Sequence, residues 1–131
     1  MKIVSRLILL TSVGLLLATT GCALFVVGAA AGAGAAGYAY VSGELKSTES
    51  ASLERTRSAT LAAMKDLQFL VTSQAKDALE AEVTARNSSD KKITIKLKKI
   101  SESATELRIR VGTFGDEPLS RVILEKIKKH L

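Results

Sequence analysis

With 131 residues, 47% of them hydrophobic, and a single cysteine, the chain has room for one small domain and cannot close an internal disulfide. The formal charge is +6, but Lys2 and Arg6 supply two of those units at the very start, so the remainder is only mildly basic. The few aromatics (Phe25, Tyr38, Tyr40, Phe69 and Phe114) offer no series of stacking platforms, which argues against a nucleic-acid partner.

In chain order, Met1 to Arg6 is short and positive, and Leu7 to Ala18 is apolar apart from Thr11, Ser12 and Gly14. These are the n- and h-regions of a secretory signal peptide, residues 1–21. Next comes Ala18-Thr19-Thr20-Gly21-Cys22, which resembles the lipobox of bacterial lipoproteins: small residues, Gly21 before the cut and the obligatory cysteine after it. The one departure is Thr19, where Leu is commonest. The resemblance implies cleavage between Gly21 and Cys22, a diacylglyceryl group on the thiol, and acylation (palmitate) of the new amino group. One acyl chain gives only marginal, reversible membrane binding, so stable anchoring needs at least two. By resemblance to Gram-negative sorting, Ala23 in place of Asp implies the outer membrane, with the domain facing the periplasm. The competing reading, a buried cysteine inside a membrane helix, fits poorly with Thr-Thr-Gly directly before it.

Residues 22–37 then form a membrane-proximal spacer dominated by Ala and Gly. The uncharged stretch from Ala23 to Ser42 is long enough to cross a bilayer, but glycine is a poor helix former with little apolar surface. Gly32-Ala33-Gly34-Ala35-Ala36-Gly37 matches the dinucleotide-binding glycine pattern without the strand and acidic residue that give the pattern meaning. Gly28-Ala29-Ala30-Ala31-Gly32 matches the close-packing pattern of membrane helices, so helix pairing and a plain spacer both stand.

Residues 38–131 read as an α+β periplasmic domain. Tyr38 to Leu45 has strand-forming residues and predicts one short strand; Ser47, Thr48, Ser50 and Ser52 offer N-caps for a helix running to about Leu67. Leu53, Thr60, Leu61, Met64 and Leu67 return to one face of that helix. Phe69 to Thr72 is a short apolar run that predicts a strand. Three segments then alternate with period two: Leu79 to Arg86 (inward Leu79, Ala81, Val83, Ala85), Ile93 to Lys98 (inward Ile93, Ile95, Leu97) and Leu107 to Val111 (inward Leu107, Ile109, Val111). The turns Asn87-Ser88-Ser89-Asp90 and Ser101-Glu102-Ser103 are too short for anything but an antiparallel meander. Gly112 to Pro118 leads into a last helix with acidic residues and Pro at its start. Its stripe is Leu119, Val122, Ile123, Ile127 and Leu131, and Lys126, Lys128, Lys129 and His130 complement its dipole. The expectation is therefore a small antiparallel sheet, a three-stranded meander plus one or two short strands, with two helices packed on one face.

Gly37-Tyr38-Ala39-Tyr40-Val41-Ser42-Gly43-Glu44-Leu45, Ile95-Lys96-Leu97-Lys98, and Arg110-Val111-Gly112-Thr113-Phe114-Gly115-Asp116 followed by Leu119-Ser120-Arg121 resemble a family of small bacterial lipoproteins classed as a domain of unknown function. The resemblance covers most of the chain after Cys22 and implies the anchor and the boundaries above, with no activity attached.

Candidate sites follow from the faces. Lys96, Lys98, Arg108 and Arg110 share the wet face of the meander, with Lys91, Lys92 and Lys99 nearby. One reading is an anion-binding face for lipid phosphate, lipopolysaccharide or cell-wall polymer. The other is charge pairing: a turn centred near Ser89 sets Glu82 opposite Lys96 and Glu80 opposite Lys98, and Glu106 can oppose Lys98, leaving Arg108 and Arg110 uncompensated. The solvated, paired face outweighs the binding face. Tyr38 and Tyr40 suit either a lipid interface or strand packing. Gly112 to Asp116 is either a tight connection or an anion site at a helix start, where Asp116 or Glu117 would itself take the free N–H groups. Catalysis has no constellation: His130 is accounted for by the helix end, Cys22 is committed to lipid, Glu80 and Glu82 lie on an open strand face, and no His/Cys cluster provides a metal site. The expectation is a lipid-anchored, non-enzymatic envelope protein without cofactors that acts by protein contact or self-association; the alternative is the anion-binding module.

Overall fold

The computed structural model describes residues 38–131. The expected signal peptide, Gly21 and Cys22, the Gly28 to Gly32 pattern and the expected spacer lie outside the described residues. The elements in chain order are β1 (Ala39–Val41), β2 (Glu44–Glu49), α1 (Leu53–Asp66), β3 (Leu70–Lys76), β4 (Glu80–Arg86), β5 (Lys92–Ser101), β6 (Ala104–Val111) and α2 (Glu117–Lys128). The strands make one sheet in the order β1-β2-β6-β5-β4-β3, with every neighbouring pair antiparallel. β2 and β3 consequently point the same way, and α1 is the crossover that carries the chain from one side of the sheet to its far edge.

Local chemistry explains the turns. Asp77 Oδ1 accepts from the N–H groups of Leu79 (2.8 Å) and Glu80 (2.7 Å), closing the link between β3 and β4. Asn87 Oδ1 does the same for Ser89 (3.0 Å) and Lys91 (2.9 Å) between β4 and β5. Ser52 caps α1 by accepting from the Arg55 N–H at 3.2 Å. The far end of α1 closes by a double bond pattern, the Phe69 N–H to the Met64 carbonyl (2.9 Å) and the Gln68 N–H to the Lys65 carbonyl (3.0 Å), with Gln68 at φ 58°. That is a Schellman stop built on a residue other than glycine.

Alternation divides the sheet into two faces. Leu45, Val83, Ile93, Ile95, Leu97, Leu107, Ile109 and Val111 point to one side and meet Met64 of α1 and Ile123, Leu124 and Ile127 of α2. All are essentially fully buried, each such side chain contributing about 1.5–3 kcal/mol relative to exposure. α1 lies over β3 to β6 and α2 over β6 and β2, in contact with each other. Their C-terminal ends are tied by His130 Nε2 and Asp66 Oδ2 at 2.7 Å, a contact beyond the dipole role expected of His130. The same hydrogen bond, aided by Lys126 and Lys65, holds the Asp66 carboxyl below its usual value.

The α+β class, the antiparallel sheet and the two helices agree with the sequence reading, and the inward sets of β5 and β6 are as expected. The sheet is larger than expected, with six strands among the described residues and a four-stranded meander from β3 to β6. Tyr38 to Leu45 is not one strand: Ser42 (φ 54°) and Gly43 (φ 79°) form a two-residue hairpin turn between β1 and β2. Ser47 and Thr48 belong to β2, leaving Ser52 as the cap. β3 runs on to Lys76, with a register shift between Val71 and Ser73. Leu79 is 62% exposed because it belongs to the turn that Asp77 closes, one residue ahead of β4. On α2 the buried positions are Ser120, Ile123, Leu124 and Ile127, while Val122 points to solvent.

Candidate functional site

The uncovered face of the sheet collects Lys96, Lys98, Arg108 and Arg110, as their parity on β5 and β6 requires. The register sets Lys46, Arg108, Lys96 and Glu82 in one row across four strands and Thr48, Glu106, Lys98 and Glu80 in the next. The expected pairings of Glu82 with Lys96 and Glu80 with Lys98 are therefore direct cross-strand neighbours. Lys96 Nζ lies 4.0 Å from Glu82 Oε2. Such partly exposed pairs are each worth about 0.2–1 kcal/mol.

Arg108 and Arg110 differ from expectation. Arg108 is ion-paired with Glu106 two residues earlier on its own strand, and that hydrogen bond raises the guanidinium pKa further above its ordinary value. Arg110 donates to the Ser42 carbonyl (3.1 Å) and the Thr113 carbonyl (3.3 Å), and stands opposite Glu44 in the ladder. Cross-strand counting within the meander leaves both without counter-charges because it cannot register partners on the same strand, in loops or on β2. A shallow groove of about 400 Å³ lies on this face, lined by Lys96, Lys98 and Arg108 together with Lys76, Asp77, Glu80 and Glu82. Its charges interleave in sign.

At the edge beside the groove, two helix-facing positions of β3, Gln74 and Lys76, are polar and bonded to α1, while Val71 packs against the core. Arg57 Nη2 donates to Gln74 Oε1 at 3.1 Å, and Lys76 pairs with Glu54, whose carboxyl is lowered chiefly by that bond.

A second feature sits at the opposite end of the strands, where the β1–β2 turn meets the loop between β6 and α2. A Cβ on Gly43 would stand 2.6 Å from the Phe114 carbonyl oxygen, and one on Gly115 (φ 84°) would collide with Gly43 and the Tyr40 hydroxyl. Only glycine at both positions lets the two backbones touch. Arg110 bridges the same two segments. Asp116 caps α2 by accepting from the Leu119 N–H at 3.0 Å and receives Lys91 at 3.2 Å. The N–H bond first, and Lys91 second, hold its carboxyl below the usual range. This loop is the tight connection anticipated, with Asp116 on the helix's free N–H groups.

Tyr38 and Tyr40 pack against the core, with the Arg121 guanidinium 5.5 Å over the Tyr38 ring. Phe114 is the outward aromatic, 93% exposed. Sequence reading does not single it out: an aromatic between two turn residues gives no periodicity from which to judge its side. Among the described residues no group of three or more His, Cys, Asp or Glu could hold a metal ion, and no helix is long and apolar enough to cross a membrane.

Compared with known families, residues 4–130 match the family described as protein of unknown function (DUF3568), and the chain belongs to it. No curated protein matches the chain.

Proposed function

We propose that this member of the family is an outer-membrane lipoprotein, anchored through lipids on Cys22, whose periplasmic α+β domain acts by contact with other envelope proteins or with its own copies and catalyses no reaction. The observation that carries the reading is the order of the first residues. A positive start, the apolar Leu7 to Ala18, and Ala18-Thr19-Thr20-Gly21 come directly before the only cysteine in the chain. Two further points support it. The family match begins at residue 4 and so takes in most of the stretch read as leader, and the cysteine. The first strand begins at Ala39, which leaves a stretch of chain between the lipid and the domain.

The test is metabolic labelling with a palmitate analogue and intact mass measurement of the protein from cells. The expected product begins at Cys22, carries acyl mass, and loses label and membrane fractionation in Cys22→Ser. An unlabelled protein, or one that retains residues 1–21, overturns the proposal.

A second reading rests on the groove lined by Lys96, Lys98 and Arg108: a module that binds an anionic envelope ligand. Its test is salt-sensitive retention on vesicles containing anionic lipid. Retention that disappears when Lys96, Lys98, Arg108 and Arg110 are reversed to Glu supports it; equal retention of the reversed protein removes it.

A further inference from the structure

The corner where the β1–β2 turn meets the β6–α2 loop presents an apolar tip on a braced support. Phe114, with 93% of its surface exposed, is the most open large hydrophobic side chain among the described residues; Val41, 56% exposed, ends β1 beside the same turn. The backbone beneath is fixed by the Gly43 and Gly115 contact, by the two carbonyl bonds of Arg110, and by the Asp116 cap. Phe114 contributes its carbonyl oxygen to that corner while its ring is left in solvent. We infer that Phe114 is an interfacial anchor that inserts into the lipid bilayer and sets the orientation of the domain on the membrane to which Cys22 tethers it.

This inference rests on the lipid-anchor reading. The segment from Cys22 to Tyr38, roughly 16 residues, spans at most ~55 Å when extended, and β1 adds only about 10 Å between the point of entry and the tip. A tether of that length holds a local concentration on the order of millimolar, so an aromatic too weak to recruit the protein alone suffices to orient it. The occupant is lipid because the tip is a protrusion with little net charge around it. Lys91 and Asp116 pair with each other, and Arg110 is opposed by Glu44. Insertion is therefore apolar, and independent of lipid charge and salt, in contrast to an anion-binding sheet face.

The chain contains no tryptophan, so Phe114→Trp makes a unique reporter in the full-length lipidated protein. Leu79→Trp is the control, since Leu79 is 62% exposed at the opposite rim of the sheet. In phosphatidylcholine vesicles the expected result for Phe114→Trp is a blue shift of the indole emission and its loss when the lipids are brominated, both maintained in high salt. The emission of the Leu79→Trp protein is expected to stay unchanged under the same conditions. Flotation of the same samples separates the two ideas. Protein that floats while the Phe114→Trp emission stays unshifted overturns the tip and leaves the anchor standing; protein that fails to float overturns the anchor and the tip with it. A blue shift that grows with protein concentration in detergent, without bilayers, assigns the tip to a second copy and also overturns the proposal.

Discussion

The two faces of the sheet are products of one alternation but are held in place by different physics. On the helix-covered face, Leu45, Ile93, Ile95, Leu107 and Ile109 are at zero exposure and the contribution is burial, which accumulates with area. On the open face, Lys96, Lys98, Arg108, Glu80, Glu82 and Glu106 remain in water, and their attraction is small per pair and screened by salt. The difference teaches that the open face sets specificity of register and surface chemistry more than stability. Each substitution below breaks or sharpens that contrast.

The largest effect is expected from Ile109→Ala, at the centre of the covered face and opposite both Leu45 and Ile95. A loss of about 2–5 kcal/mol would lower the melting temperature by roughly 10 °C or more, measured by circular dichroism. Gly115→Ala comes next. It places a side chain against Gly43 and the Tyr40 hydroxyl at a positive φ, for a cost of roughly 1–3 kcal/mol. Unfolding in urea checks the size.

Asp116→Ala removes the α2 cap and is expected to cost about 1 kcal/mol at pH 7. The sign with pH follows from the lowered carboxyl. A group whose folded pKa lies below its unfolded one contributes stability above the unfolded value and loses it as pH falls through the folded one. The gap between wild type and Asp116→Ala is thus full at pH 7 and closes on acidification below about pH 4. Urea midpoints from the acidic range up to neutrality measure it. The smallest effect belongs to Lys96→Ala on the open face, within about 0.5 kcal/mol. A loss approaching that of Ile109→Ala would abolish the distinction between the faces.

The meander is legible in the sequence because three segments alternate cleanly and their connecting turns leave no room for a crossover. Even the ladder positions of Glu80 and Glu82 follow from the centre of one turn. The β1–β2 hairpin is hidden because its two-residue turn falls inside a continuous run of strand-forming residues; Ser42-Gly43 is the available signal. The reversal also puts Tyr40 and Leu45 directly opposite each other on the covered face despite an odd spacing, so a single-strand reading splits them. Period alone places Leu79 and Val122 inward, whereas burial depends on where the strand starts and how the helix is rotated. At the open face the four cations stand together as expected, while the partners of Arg108 and Arg110 come from the same strand, from loops and from β2. The exposed ring of Phe114 and the Asp66–His130 link depend on distant segments meeting, which no local pattern encodes.

The strand order has a consequence for how the chain acquires this structure. β2 occupies a position against β6, so residues 44–49 wait for residues 104–111, synthesised after β3, β4 and β5, before they can complete their ladder. The consecutive strands β3 to β5 can pair before β6 arrives, through short-range closure. The early hairpin must remain uncommitted in the meantime, and an isolated hairpin in water is only marginally stable. Folding is thereby gated by the arrival of β6, which keeps the β1–β2 hairpin pliant until that strand has been made.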